Sequence, residues 1–321
     1  MARIASWYQQ HVDPDRVPGA VVAIARNGRL VSLQALGFQD HDKKIPMQPN
    51  AIFLIGSMTR QVTAVATMLL VEQGKLALDA PVAQYLPDLA GMQVVDINTD
   101  AATGETRFAM VPQKRPMTIR DLLRNTSGLI YPEWEFGDGG IESITIHSFY
   151  KLRAVFERDK TLADFVASLA RLPLAHQPGE VWEYGWGFDV LGRIVEVVSG
   201  QTFDQFLQNQ IFQPLHMTDT GFTVPAAKPG RLVDPPTKQR PPTWDVTKPA
   251  KLFSGGGGLV STAVDYLHFC QMLLNAGELD GVRILRPETV RQMTANALPS
   301  DIRFVGNGVG PSLGTSWGLG F

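Results

Sequence analysis

The sequence of 321 residues contains a single cysteine, Cys270, which excludes an intrachain disulfide framework and a metal site built from cysteines alone. It has no excess of basic residues, since 29 Lys and Arg stand against 31 Asp and Glu. The resulting net charge of -2 gives no positive field that would attract nucleic acid or anionic lipid. No apolar run approaches the roughly 18 uninterrupted residues of a membrane-spanning helix.

The first residues also lack the apolar stretch of a secretory signal. The six histidines show neither an H-E-x-x-H pattern nor close pairing, so we expect no metal and no other cofactor. Hydrophobic residues make up 44% of the chain, which is enough for a sizeable core. The composition therefore predicts a soluble, cytoplasmic globular protein without a nucleic-acid or membrane partner, and it leaves the oligomeric state open.

Two apolar runs flank Asn27-Gly28 within residues 19–37. Asn-Gly supplies the two positive φ angles of a type I′ turn, so the sequence predicts a β-hairpin here. From Ser57 the apolar residues recur at helical spacing until Gly74, which predicts a helix over 57–73.

Further elements follow along the chain. Thr118 is a candidate helix N-cap, with Asp121 three residues later and Gly128 as the stop. Amphipathic helices are predicted over 162–172 and 188–200, and a glycine turn leads into a helix over 262–276 that is capped near Ser261 or Thr262. The last residues, SWGLGF, are apolar and predict a strand.

This order of hairpin, helix, long helical insert, glycine turn, helix and strand predicts an α/β protein. The length suits two domains. We expect one domain from residues 1–75 and 251–321, with a mostly antiparallel sheet and helices on both faces. A helical domain over 76–250 completes the prediction.

Ser57 is placed where a loop turns into the first long helix. A hydroxyl group there feels the positive end of the helix dipole, which favours a developing alkoxide. Arg60 follows three residues later and lies on the same helix face. The alternative interpretation is that Ser57 only caps the helix.

Four stretches in this order resemble the serine β-lactamase and penicillin-binding-protein superfamily, and look closest to its esterase branch, the family VIII carboxylesterases. The resemblance extends from about residue 15 to 321. The stretches are FLIGSMTRQVTAVATMLLVEQGKLALDAPVAQYLP (53–87), TIRDLLRNTSGL (118–129), PGEVWEYGWGFDVLGRIVEVVSG (178–200) and FSGGGGLVSTAVDYLHFCQMLLNAGELDGVRIL (253–285).

The resemblance implies a β-lactamase/transpeptidase-like fold and a two-step acyl transfer on a small ester substrate. Carried over by position, Ser57 is the nucleophile and Tyr184 the hydroxyl that shuttles protons. The backbone N–H of Ser57 would form half of the oxyanion hole. From the sequence itself, Trp186, Tyr131 and Gly256 are candidate substrate-binding residues, and core packing is the alternative for the aromatic residues Trp186 and Tyr131.

One departure from the family pattern falls on its S-x-x-K motif, which here reads Ser57-Met58-Thr59-Arg60. A desolvated lysine can lose its proton and act as a base, whereas arginine cannot. Arg60 can still favour a phenolate on Tyr184 by Coulomb attraction, which leaves Tyr184 as the candidate base. Trp186 stands where β-lactamases of the superfamily carry an asparagine, which favours a simple ester over a β-lactam or a peptide.

A second departure concerns the family's third motif, a Lys-Thr-Gly, His-x-Gly or Trp-Gly-Gly type triplet on a late strand. No such triplet follows residue 285. From this, and from the apolar edge that a terminal strand would expose, we expect an incomplete chain.

The sequence leaves three functions open. The first is a serine hydrolase that cleaves small or short-chain carboxylic esters through an acyl-serine intermediate. The second is a catalytically impaired relative that binds a ligand or a partner, a hypothesis that rests on Arg60 and the missing triplet. The third is an acyltransferase of the same superfamily, because a sequence cannot distinguish water from an alcohol as acyl acceptor.

Overall fold

The computed structural model describes residues 2–11, 17–40, 42–100, 102–131, 157–234, 245–305 and 316–321. In the described residues the helices are α1 Ala2–His11, α2 Thr59–Glu72, α3 Ile119–Arg124, α4 Leu162–Leu169, α5 Gly187–Ser199, α6 Phe203–Leu207, α7 Ala263–Leu274 and α8 Pro287–Thr294. The strands are β1 Gly19–Arg26, β2 Arg29–Asp40, β3 Ile45–Pro46, β4 Phe53–Leu54, β5 Val94–Thr99, β6 Thr106–Val111, β7 Val181–Glu183, β8 Val260–Ser261, β9 Glu278–Leu279, β10 Val282–Arg283 and β11 Arg303–Val305. None of the helices in the described part of the chain combines the length and the apolar character that a bilayer-spanning helix requires.

The chain divides into two compact units. The first comprises Met1–Gly56, Leu207–Ala250 and Gly258–Ile284, and the second comprises Ser57–Phe206, Lys251–Gly257 and Leu285–Phe321. These bounds differ from the predicted domains of 1–75 with 251–321 and of 76–250, and that division stays a prediction.

The first unit is built around an antiparallel sheet in the order β1-β2-β3. Asn27 and Gly28 have φ angles of 51° and 71°, so the predicted type I′ hairpin is confirmed. Helix α7 contacts β1, and the short strands β4 and β8 form a separate antiparallel pair. The predicted cap of α7 is also confirmed, because the Thr262 side chain accepts a hydrogen bond from the Asp265 N–H.

The second unit is organised by α2 and α5, which pack against each other. Eleven of the 14 residues of α2 are buried, and most of these are apolar or small, in keeping with a helix that is packed on most sides. Helices α3 and α4 pack against α5, and β7 pairs with β11 in a parallel register. This packing places the ends of α2 and α5, which carry the candidate site residues, within one compact unit.

Helix α3 begins as predicted, with a capping box in which Thr118 and Asp121 exchange side-chain to backbone hydrogen bonds. The predicted stop at Gly128 is wrong, because the helix ends at Arg124 and Asn125 adopts the left-handed conformation with φ 56°. Asparagine tolerates this conformation better than most residues. Gly128 also has a positive φ, but in the loop that follows.

Two expectations about strands are corrected by the structure. Strands β5 and β6 form a regular antiparallel hairpin inside a region predicted to be loops and helices. Conversely, the final SWGLGF segment forms no strand in the described residues 316–321. Its backbone instead forms hydrogen bonds with α8 and the residues that follow this helix. The Leu319 N–H donates to the Met293 carbonyl at 2.9 Å, and the Trp317 carbonyl accepts from the Ala297 N–H.

Candidate active site

Ser57 lies in a 3-10 turn, Gly56–Met58, immediately before α2, and its side chain is exposed. The N-cap residue of α2 is Met58, and no side chain caps the helix. The alternative interpretation of Ser57 as a mere N-cap is therefore wrong. Its hydroxyl group is accessible at the positive end of a 14-residue helix, which suits a nucleophile.

Arg60 is the second residue of α2 and is only 1% exposed. Its Nη1 donates to Asn125 Oδ1 at 3.3 Å, and its Nη2 donates to the Tyr131 hydroxyl at 2.6 Å and to the Gly185 carbonyl at 2.9 Å. These acceptors come from two segments of the chain, residues 125–131 and residue 185. A buried guanidinium with several hydrogen bonds is a fixed positive charge, because arginine does not deprotonate in proteins.

The structure brings Arg60 and Tyr184 together, as the sequence predicted. The guanidinium carbon lies 3.7 Å from the centroid of the Tyr184 ring, the distance of a close cation–π contact. It also lies 4.8 Å from the ring centroid of Phe188. Arg60 thus contacts the face of the Tyr184 ring, while the hydrogen bonds described above hold it from other directions.

Two backbone features make the Arg60 pocket possible. Asn125, in its left-handed conformation at the end of α3, supplies one acceptor. Gly185 supplies another, and a Cβ at this position would lie 1.8 Å from the Leu129 carbonyl oxygen. Only glycine permits this approach, so the residue after Tyr184 is fixed by packing rather than by chemistry.

Aromatic side chains surround the two site tyrosines. The Tyr131 ring meets Trp186 edge-on with centroids 4.3 Å apart, and it lies 5.9 Å from the Tyr184 ring. Trp186 also packs edge-on against Phe165, at 4.9 Å, and is 7% exposed. Trp186 therefore belongs to the packed shell of the site, and a direct substrate contact by Trp186, Tyr131 or Gly256 stays a prediction.

Burial raises the pKa of Tyr131, and the charge of Asp189 acts in the same direction, whereas the charge of Arg60 opposes them. The net direction is upward, so the Tyr131 hydroxyl keeps its proton at physiological pH. It can accept a hydrogen bond from Arg60 and still donate one, but it is a poor general base.

Asp189 is the site residue that sequence reasoning missed. It is completely buried in the first turn of α5, and its Oδ1 accepts hydrogen bonds from Ser254 Oγ at 2.6 Å and from the Gly256 N–H at 3.3 Å. Burial raises the pKa of Asp189, while the Ser254 hydroxyl and the Arg60 charge act against this. The sequence does carry a signal, a lone carboxylate on the apolar face of a helix close to Tyr184.

No group of three or more His, Cys, Asp or Glu side chains within the described ranges is arranged to hold a metal ion. The described site instead combines an exposed serine at a helix start, a buried fixed cation and a tyrosine ring stacked on that cation. Such a set can support nucleophilic attack by a hydroxyl and proton transfer through a second hydroxyl.

The chain is similar to known proteins. Residues 4–320 match the model of the beta-lactamase family. The chain is 38% identical over 299 residues to Protein Rv1367c of Mycobacterium tuberculosis (strain ATCC 25618 / H37Rv), covering 90% of this chain and 70% of that protein. It is 30% identical over 345 residues to Esterase EstB of Burkholderia gladioli, covering 100% and 78% respectively.

Among solved structures, the chain is similar to "EstCE1, a hydrolase with promiscuous acyltransferase activity", with a TM-score of 0.72 and 25% identity. The match covers 99% of this chain and 81% of that one.

Proposed function

Because the chain belongs to the beta-lactamase family and has its fold, we propose that it is a serine hydrolase of the carboxylesterase branch, family VIII, and cleaves small or short-chain carboxylic esters. The reaction would pass through an acyl intermediate on Ser57. The observation that carries the proposal is the stack of the Arg60 guanidinium on the Tyr184 ring, one helical turn from an exposed Ser57.

The named activity of EstB supports an ester rather than an amide substrate. EstB is an esterase, and the similarity to it covers the whole of this chain. EstCE1 is a hydrolase with acyltransferase activity. Trp186, which replaces the asparagine of β-lactamases in the tyrosine motif, points in the same direction.

The acylation step follows from the chemistry of the residues. Tyr184 takes the proton of the Ser57 hydroxyl while Oγ attacks the ester carbonyl carbon, and the backbone N–H of Ser57 stabilises the oxyanion that forms. Collapse of the tetrahedral intermediate breaks the ester C–O bond, and the leaving alkoxide takes the proton from Tyr184. Water then attacks the acyl-serine in the same manner, which releases the acid and restores Ser57.

Arg60 serves this chemistry as a positioning residue. Its hydrogen bonds run to Asn125, Tyr131 and Gly185, so the guanidinium is fixed before any substrate arrives. The guanidinium packs on the face of the Tyr184 ring and so fixes the position of that ring. Arginine can therefore support the reaction without acting as its base.

The test is hydrolysis of p-nitrophenyl acetate, butyrate and octanoate by the wild type, Ser57→Ala and Tyr184→Phe. Ser300→Ala is the matched control, because Ser300 is an exposed serine in another turn of the same unit. We expect turnover that falls with acyl length, falls to background in Ser57→Ala and persists in Ser300→Ala. Equal turnover in the wild type and Ser57→Ala would refute the proposal.

Acyl transfer to an alcohol is the second candidate, and the similarity to EstCE1 favours it. Adding a small alcohol to the same assay distinguishes the two outcomes. An acyltransferase would form the new ester faster than the free acid, and both products would disappear in Ser57→Ala. Formation of acid alone at high alcohol concentration would restrict the function to hydrolysis.

A further inference from the structure

A short glycine-rich segment, Ser254–Gly257, forms hydrogen bonds with both helices beside the site, α2 and α5. On one side Thr63 of α2 donates a hydrogen bond from Oγ1 to the Gly255 carbonyl at 2.8 Å. On the other side Asp189 of α5 accepts from the Ser254 hydroxyl and from the Gly256 N–H. The segment therefore links α2 to α5 through three hydrogen bonds.

This segment has no room to shift toward α5. A Cβ at Gly255 would lie 2.3 Å from the Phe188 carbonyl oxygen. A Cβ at Gly256 would lie 2.5 Å from Asp189 Oδ2 and 2.9 Å from the Tyr131 hydroxyl. The backbone of the segment thus lies directly against the first turn of α5, where only glycine fits.

The burial of the Asp189 carboxyl group lowers the stability of the fold, which a purely structural contact would not require. Asp189 is 0% exposed, and its Oδ2 accepts no hydrogen bond from the described residues. Burial of a carboxyl group with an incomplete set of partners costs stability, and an apolar side chain in α5 would avoid that cost. Polar groups kept at such a cost are typical of functional sites.

The segment Ser254–Gly257 is hydrogen-bonded to both helices close to the residues of the stacked Arg60–Tyr184 pair. Thr63 lies three residues after Arg60 on the same face of α2, and Asp189 lies five residues after Tyr184. A change in the separation of the two helix ends would therefore separate the guanidinium from the ring, which now lie 3.7 Å apart.

We propose that Asp189 is a positioning residue for the acyl transfer: by holding Ser254 and Gly256, it keeps the Thr63-bound glycine segment in place and Arg60 stacked on Tyr184. The inference rests on the proposed function of Ser57. Asp189 acts through its hydrogen bonds to Ser254 and Gly256, and its effect reaches the reaction through the geometry of the Arg60–Tyr184 pair.

The test compares kcat and KM for p-nitrophenyl acetate in Asp189→Ala, Asp189→Asn and Thr63→Val. Asp265 offers a matched control, because it is also a buried carboxylate in the first turn of a helix and accepts hydrogen bonds from a hydroxyl, Thr220 Oγ1, and from a backbone N–H. It belongs to the first unit, whereas Asp189 belongs to the second.

We expect Asp189→Ala to lower kcat by about tenfold or more, since small displacements of catalytic groups have effects of this size, with KM changed by less than about threefold. Asp189→Asn, which keeps the acceptor oxygen, should retain most of kcat. The double variant Asp189→Ala/Thr63→Val should lose no more than the larger single loss, because both residues act through the same segment. Asp265→Ala should leave kcat near the wild-type value.

A folded Asp189→Ala with wild-type kcat would overturn the inference, and so would an equal loss of kcat in Asp265→Ala. If Asp189→Ala fails to fold, Ser254→Ala removes one bond of the link and should lower kcat by roughly threefold to tenfold, and an unchanged kcat there would also overturn it. Failure of the proposed function is distinguishable, because wild-type turnover would then equal that of Ser57→Ala. That result would remove both proposals.

Discussion

Replacement of Arg60 by lysine restores the motif typical of the family, yet the structure predicts that it harms this protein. The guanidinium makes three hydrogen bonds to acceptors from separate segments and stacks on Tyr184. A lysine ammonium is a shorter, compact donor that cannot reach all three acceptors from one position. Two of the acceptors would be left without the donor that they have now.

The size of the effect can be worked out from these contacts. Hydrogen bonds to a charged group contribute about 1.5–3 kcal/mol each, so losing two costs about 3–6 kcal/mol. Loss of the cation–π contact adds roughly 0.5–2 kcal/mol. The buried Arg60 Nε, which donates to no described residue, is also removed, and this offsets about 1–2 kcal/mol. The free energy of unfolding should fall by about 1.5–7 kcal/mol.

Urea unfolding followed by tryptophan fluorescence measures this difference, and p-nitrophenyl acetate turnover measures its functional effect. We expect Arg60→Lys to be less stable and at least about tenfold slower than the wild type, because the Tyr184 ring loses the planar group that holds it. Arg171→Lys is the control, since Arg171 is an exposed arginine in the same unit. A faster or more stable Arg60→Lys variant would refute the reasoning, and would mean that the guanidinium impairs the site.

The other predictions concern one glycine and one buried carboxylate. Gly256→Ala should lower turnover, because its Cβ would collide with Asp189 Oδ2 and the Tyr131 hydroxyl, whereas Gly91→Ala, with no atom within 4 Å of its Cβ, should not; equal turnover in the two variants would contradict this. Asp121→Asn should lower the free energy of unfolding at pH 7 by about 1.5–3 kcal/mol, because this buried carboxylate binds the half-exposed Arg115 through two hydrogen bonds. Burial opposes those bonds, yet hydrogen bonds from Arg115 and Thr118 hold the pKa of Asp121 below its ordinary value. Its stabilising effect is therefore present at neutral pH and is lost as the pH falls below about 4. Urea unfolding at pH 7 and pH 3 should show a smaller pH effect in Asp121→Asn, and an equal effect in both proteins would count against this assignment.

Local signals in the sequence predicted several elements correctly. Asn27-Gly28 has one strongly favoured turn type, so the first hairpin followed from two residues. The capping box of Thr118 and Asp121 and the cap at Thr262 were equally readable, since each depends on side chains within three residues of the helix start.

Features that depend on distant parts of the chain were not predictable in this way. The β5–β6 hairpin was missed because alternation in it is interrupted and its exposed face carries apolar Phe108 and Met110. The early end of α3 depends on Asn125, whose left-handed conformation allows its side chain to meet Arg60. No local sequence pattern predicts the contact between Asn125 and Arg60.

The candidate site divides in the same way. Ser57 and Tyr184 could be named from their motifs, and their pairing with Arg60 from helical spacing and family position. The role of Asp189 depends on Ser254 and Gly256, which follow it by more than 60 residues. Only the folded chain brings these groups together.

The central claim is that Ser57 is an activated nucleophile although arginine replaces the lysine of the motif. A fluorophosphonate probe, followed by intact-mass spectrometry and peptide mapping, tests this most directly. We expect one adduct on Ser57 in the wild type, no adduct in Ser57→Ala and slower labelling in Tyr184→Phe. An unlabelled Ser57 in a folded chain, or an adduct on another residue, would contradict it and would favour a ligand-binding member of the family.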